Sequence, residues 1–240
     1  MNYGICTMAA MPLRKENLHA SEMVSQLLYN ETYETTDNDG DWIRIRTTFD
    51  HYEGWIPAIQ HHEIDTSAFE AMQHTKYVVG QAVATCNGKP LSFGTPLLNA
   101  DECAVAIPEC FNPDLMVRYA QMLLGSPYLW GGRTVFGIDC SGFAQLCARA
   151  SGATLPRDAS QQVKCGELVY FLPETRPGDL AFFGKDDGTI THVGIMMDSE
   201  HIIHASGQVR IDGIDQSGIF NKDRNLHTHQ LIAIKRISTQ

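Results

Sequence analysis

Ile190-Thr191-His192-Val193-Gly194-Ile195-Met196-Met197 and His201-Ile202-Ile203-His204-Ala205, joined by Asp198-Ser199-Glu200, read as the two arms of a β-hairpin. Apolar residues, several of them β-branched, dominate both arms, and the joining residues are polar turn formers. If Met196 faces Glu200 across the turn, four steps outward set His192 opposite His204. Their Cβ atoms would then lie about 4.5–5.5 Å apart on one face. His201 has the opposite parity and points to the other face. Two facing histidines suit a general base steadied by a second imidazole, a metal pair, or a purely structural pair. No third ligand stands at suitable spacing nearby, so no metal is expected.

Some fifty residues upstream, Tyr128-Leu129-Trp130-Gly131-Gly132 leads through a glycine-rich loop to Gly137-Ile138-Asp139-Cys140-Ser141-Gly142-Phe143. Residues 144–150 have helix-favouring composition, so Cys140 falls on a first turn. Unpaired N–H groups and the helix dipole there favour an anion, which predicts a thiol depressed from about 8.5 toward roughly 3.5–7.5. The competing reading is a small buried residue, the commonest fate of a free cysteine.

Before that site the patterning is different. Residues 3–65 alternate in short apolar segments between turn signals. Asp39-Gly40 marks a turn, Trp42-Ile43-Arg44-Ile45-Arg46-Thr47 alternates sides, and Glu53-Gly54-Trp55-Ile56-Pro57 ends on a proline suited to a strand end. A second β-like stretch, 77–108, contains Tyr77-Val78-Val79-Gly80, a turn at Asn87-Gly88-Lys89-Pro90, and Cys103-Ala104-Val105-Ala106-Ile107. From Asp114 the spacing becomes helical, through Leu115, Met116, Tyr119, Met122 and Leu123, and Gly125-Ser126-Pro127 ends it. The reading is α+β in three parts: a small β-barrel at 1–67, a second small β unit at 68–112 and a larger domain at 113–240.

The chain has 240 residues and 43% apolar side chains, enough for packed cores. Its net charge of −10, from 28 acidic against 18 basic residues, offers no cationic surface for nucleic acid. Seven cysteines, an odd number without dense spacing or a Cys-x-x-Cys, read as reduced thiols. The first twenty residues carry neither a signal-peptide apolar region nor a membrane span. The expectation is a cytoplasmic protein, or a periplasmic or secreted one from which an export signal has been removed, with no membrane partner.

Tyr128-x-Trp130-Gly131-Gly132, Asp139-Cys140-Ser141-Gly142-Phe143, Leu155-Pro156-Arg157-Asp158-x-Ser160-x-Gln162, Pro177-Gly178-Asp179-Leu180, Thr191-His192-Val193-Gly194-Ile195 and His204-Ala205 together resemble the NlpC/p60 family of papain-like cysteine peptidases, over 114–237. Leu13-Arg14, Ser25-Gln26-Leu27-Leu28, Gly40-Asp41-Trp42 and Tyr52-Glu53-Gly54-Trp55-Ile56 resemble bacterial SH3-type domains. The resemblance implies a helix bundle bearing the cysteine on an antiparallel sheet bearing the histidines. Cys140 would be the nucleophile, His192 the base and His204 the orienting residue, with no cofactor.

It also implies a substrate: small murein peptides cut between γ-D-glutamate and a diamino acid. Similarity to the group that releases L-Ala-γ-D-Glu during wall recycling implies a free N-terminal alanine amine, with the SH3-like region acting as a lid. Asp139 is the first candidate to pair with that ammonium and Glu53 the second, although Glu53 also reads as a solvent-facing turn residue. Tyr128 would line the site and help bind an oxyanion, or is a plain core tyrosine. Ser141 and Ser160 would hydrogen-bond substrate, Ser141 alternatively capping the helix; Arg157 is given no role. The alternative activity is an exported hydrolase or amidase acting on intact wall.

Overall fold

The computed structural model describes residues 2–86 and 88–237, in two compact units: Met1–Ile107 with Leu129–Gly137, and Pro108–Tyr128 with Ile138–Gln240. Asn87, first residue of the turn expected at 87–90, lies outside the described residues.

The first unit begins with strands β1 (Tyr3–Ile5), β2 (Ala10–Arg14), β3 (Met23–Leu28), β4 (Thr32–Asp39), β5 (Trp42–Thr47), β6 (Glu53–Pro57) and β7 (Glu63–Ile64). They form one antiparallel sheet in the order β3-β2-β6-β5-β4-β1-β7. In β5 the alternation read from the sequence holds: Ile43, Ile45 and Thr47 are buried and Arg44 and Arg46 exposed. The Asp39-Gly40 signal becomes a hairpin in which Asp39 pairs with Trp42 and Gly40 takes φ +63°, a conformation glycine adopts without strain. Met11, Leu13, Leu27, Tyr33, Ile43, Ile45 and Ile56 fill the core.

Helix α1 (Thr66–Met72) follows. Then come β8 (Tyr77–Val79), β9 (Val83–Cys86), β10 (Lys89–Ser92), β11 (Pro96–Leu97) and β12 (Ala104–Ala106). This middle segment is a three-stranded sheet, β11-β8-β12, and a β9–β10 hairpin over a core of Val79, Ala84, Leu91 and Leu97. Cys86 and Cys103 bring their sulfurs to 2.6 Å as free thiols. The glycine loop contributes β13 (Arg133–Thr134) to the same unit. Its Arg133 forms a fully buried pair with Glu31, Nη1 to Oε2 2.7 Å. Gly131, at φ +76°, leaves no room for a Cβ against the Met23 carbonyl oxygen.

The short strand β14 (Gly137–Ile138) ends the loop, and the second unit carries α2 (Pro113–Met122), α3 (Cys140–Ala150) and α4 (Ala159–Gln162). Asn112 caps α2 by accepting from the Leu115 N–H, with Pro113 at the first helical position, where its missing donor costs nothing. The sheet comprises β15 (Glu167–Val169), β16 (Leu180–Gly184), β17 (Ile190–Met196), β18 (His201–Ser206), β19 (Gln208–Asp215), β20 (Gly218–Asn221) and β21 (Leu226–Arg236), in the order β15-β21-β16-β17-β18-β19-β20. Because β20 also pairs with the first half of β21, six strands close on themselves and present few free edges. Phe183, Met196, Ile202, Ile214, Ile219 and Ile234 pack together on this sheet. Helix α3 lies against β17 and β18, and α4 against β17. No helix among the described residues is long and apolar enough to cross a membrane.

Candidate active site

Helix α3 starts at Cys140 because Asp139, in extended conformation, caps it: Oδ1 accepts from the Gly142 N–H at 2.7 Å. The capping duty considered for Ser141 therefore belongs to Asp139. Asp139 is also held by Arg157, whose Nη1 and Nη2 approach Oδ1 and Oδ2 at 3.0 and 2.5 Å, while the same Nη1 donates to Ser141 Oγ at 2.8 Å. All three residues are buried. Gln162 completes this frame, its amide donating to the carbonyls of Ser141 and Pro156 at 3.0 and 2.8 Å. Arg157, left without a role by the sequence, is thus the guanidinium that fixes the turn entering α3.

The hairpin forms, but in a register displaced by two residues. Met196 pairs with Ile202 and Gly194 with His204, so Gly194, rather than His192, stands opposite His204. The Met197 N–H donates to the His201 carbonyl and closes a turn over 198–200, one residue later in the chain than Met196 facing Glu200 would place it. An even displacement preserves the face of every side chain, so both histidines still share one surface. They meet on the diagonal, His192 Nε2 to His204 Nδ1 at 2.8 Å. Gly194 makes this possible: a Cβ there would lie 2.9 Å from the His204 Cβ and 2.7 Å from Ile202 Cδ1.

Three neighbours were not anticipated. His204 Nε2 lies 3.0 Å from Asp212 Oδ2, and both residues are almost wholly buried. Arg210 grips that carboxylate through Nε and Nη2 at 2.7 and 2.8 Å. On β21 the ring of His229 stacks on His192, centroids 4.2 Å apart and 28° between planes. His201, as expected from parity, is elsewhere, paired with Asp198 at the surface.

Cys140 is buried at the start of α3, and backbone hydrogen bonds from Val193, the residue after His192, and from Ser141 stabilise its thiolate. They do not prevail. Burial first, then the Asp139 carboxylate, push the thiol up to about 11, the reverse of the depression expected from the helix dipole. Burial, then His204 and His229, hold His192 well below its ordinary 6.5. Both shifts disfavour the charged form, thiolate in one case and imidazolium in the other. Tyr128, anchored by donation of its N–H to the Gly207 carbonyl at 2.9 Å, has its phenol pushed up to about 12 by burial and then by Cys140 and Asp139, so it remains a hydrogen-bond donor.

Ser160 is on the exposed side of α4. Glu53 belongs to the other compact unit, at the start of β6, where it ion-pairs with Arg44 and Arg46 at 3.0 and 2.6 Å. No cluster of three or more metal-ligating side chains occurs among the described residues.

The chain is a cysteine peptidase, a hydrolase. Residues 125–228 match the NlpC/P60 family and residues 13–60 the bacterial dipeptidyl-peptidase SH3 domain. The chain thus carries an NlpC/P60 domain, with the NlpC/P60 fold, and an SH3-like N-terminal domain. It is 27% identical over 212 residues, 75% of this chain and 71% of the relative, to a gamma-D-glutamyl-L-lysine dipeptidyl-peptidase of Bacillus subtilis (strain 168). Over 262 aligned residues, 90% of this chain and 93% of the relative, it is 24% identical to dipeptidyl-peptidase 6 of Lysinibacillus sphaericus. The crystal structure of an NlpC/P60 family protein from Bacillus cereus ATCC 10987 shares its fold, with a TM-score of 0.80, 20% identity, and 98% and 99% of the two chains covered.

Proposed function

We propose that this chain is a peptidoglycan peptidase that cuts the γ-D-glutamyl-diamino acid bond of small murein peptides bearing a free N-terminal L-alanine, in wall recycling, with Cys140 as nucleophile, His192 as base and His204 as its positioning partner. The observation that carries the reading is the hydrogen bond between His192 and His204, in a sheet whose strand β17 also supplies the Val193 bond to the Cys140 sulfur. The name of the Bacillus subtilis relative, a gamma-D-glutamyl-L-lysine dipeptidyl-peptidase, supports the choice of bond. The papain-like order, helix first and histidine-bearing antiparallel strands after it, supports the mechanism.

With His192 Nε2 engaged by His204, Nδ1 is the ring nitrogen left for the thiol. The Sγ proton passes to Nδ1 and sulfur attacks the γ-glutamyl carbonyl carbon. Charge gathers on the carbonyl oxygen, where the Tyr128 hydroxyl is the donor kept protonated by its surroundings. His192 then returns its proton to the departing amine, and water cleaves the thioester to release the dipeptide.

Asp139 would receive the substrate ammonium while also holding Arg157, with Ser141 and Ser160 as further contacts. Purified protein supplied with L-Ala-γ-D-Glu-diaminopimelate, its N-acetylated form and intact sacculi tests the whole reading. Cleavage of the free peptide alone is expected. Preference for sacculi would point to a wall hydrolase, and full activity of Cys140→Ala would remove the nucleophile.

A further inference from the structure

Asp212 lies outside the three residues given roles above, yet it is the buried end of the hydrogen-bonded chain that contains two of them. A carboxylate can only accept, so across the 3.0 Å contact with Oδ2 it is His204 Nε2 that carries the hydrogen. A neutral His204 then has a bare Nδ1. Across the next contact, 2.8 Å, Nδ1 can only accept, so His192 Nε2 is the donor and His192 Nδ1 holds the lone pair. We infer that Asp212 is a positioning residue that sets the direction of the two-imidazole relay, making Nδ1 of His192 the basic nitrogen. The inference rests on the peptidase reading for its consequence but not for its geometry.

Two further features support it. Asp212 is about 2% exposed at its side chain and His204 about 1%, so water does not compete for their hydrogen bond. Arg210 clamps both carboxylate oxygens and is itself tied to Asp223 Oδ2 at 2.7 Å, which keeps Oδ2 aimed at His204. When the thiol proton reaches His192, the charge produced sits one imidazole away from the Asp212 carboxylate. Without that carboxylate His204 is free to take the other tautomer, which presents an N–H to His192 Nε2 and turns the His192 N–H toward the sulfur, where it cannot accept a proton. The inverted relay is catalytically silent, as when a triad carboxylate is replaced by an amide.

The test begins with the native full-length enzyme, histidine-labelled with ¹⁵N, at neutral pH. Both His192 and His204 are expected as Nε2–H tautomers, and His192 as Nδ1–H would overturn the inference at once. Asp212→Ala is expected to mix the tautomers and lower kcat by about 100-fold or more, with KM changed by less than about threefold. Asp212→Asn preserves shape, and kcat should fall there too because an amide offers one acceptor where the carboxylate meets three donors. Unchanged tautomers together with unchanged kcat in a folded Asp212 variant would sink the proposal. Full hydrolysis by Cys140→Ala would sink the peptidase reading and leave the tautomer result standing.

Discussion

Among the described residues, each compact unit has a guanidinium–carboxylate pair buried to nearly the same depth, Arg133–Glu31 in the first and Arg157–Asp139 in the second. Both tie segments distant in sequence, and both carboxylates accept a backbone N–H as well, from Leu28 in one case and from Gly142 in the other. They differ in what lies beside them. Arg133 fixes the glycine loop against β3 through the Gln26 carbonyl, so its pair is a matter of stability. Asp139 is the residue before the candidate nucleophile, and its charge is one of the causes that raise the thiol. The same chemical device secures a loop in one place and sets a reactive group in the other.

Removing one partner is the severest way to break that likeness. Deleting a single member of a buried pair costs about 3–5 kcal/mol, because the remaining charge loses its compensation. Asp139→Ala should cost this plus about 1 kcal/mol for the lost cap of α3, and should abolish hydrolysis in whatever fraction stays folded. Glu31→Ala should cost a similar 3–5 kcal/mol with kcat per folded molecule nearly unchanged. Denaturant titration with parallel turnover assays separates the two, and equal losses of kcat would show that the pairs do not differ as argued. Removing both charges of the structural pair sharpens the contrast. Arg133→Met combined with Glu31→Gln keeps an acceptor for the Leu28 N–H and should recover at least half of the stability lost in Glu31→Ala.

A smaller perturbation addresses the histidine chain directly. In Gly194→Ala the new methyl would press on His204 Cβ and Ile202 Cδ1, an overpacking worth about 1–3 kcal/mol. Shifting His204 by a few tenths of an ångström lengthens the 2.8 Å bond to His192, so kcat should fall by more than about tenfold while the fold persists. Unaltered kcat with altered stability would place Gly194 among the purely structural glycines.

Which of these parts the sequence reveals follows from how each is encoded. Cys140, His192 and His204 sit in short local patterns, a cap followed by a helix and two alternating strands, where parity alone puts the histidines on one face. The barrel strands are equally local, as β5 demonstrates. Register is not local: the turn closed at Met197–His201 and moved the pairing by two residues, harmlessly for the face but not for which residue faces which. Asp212 was hidden for a sharper reason. In Gln208-Val209-Arg210-Ile211-Asp212 the apolar alternation argues for Val209 and Ile211 inside, yet Ile211 is exposed and Asp212 buried. Reading the Gly207 turn as a hairpin would have paired His204 with Arg210 and Ile202 with Asp212, and so brought both charged residues to the histidine face. The thiol's direction was missed because burial, a tertiary effect, joined by the charge of the adjacent Asp139, outweighed the local dipole.

His229 offers the finest distinction. Its ring covers His192 from β21, and burial first, then His204, lower its pKa to about 4 from an ordinary 6.5. The unfolded chain therefore takes up a proton near pH 6.5 that the native protein refuses until about pH 4, so the stability this group contributes is complete above 6.5 and lost as pH falls toward 4. His192, lowered in the same direction, adds to that loss. In His229→Phe the aromatic cover remains and the titration disappears. The decline of Tm between pH 6.5 and 4 should become shallower while kcat at neutral pH stays within about threefold of wild type, since the ring stacks on the base without a hydrogen bond in the relay. A decline as steep as before would mean that the acid sensitivity resides in His192 and the carboxylates alone.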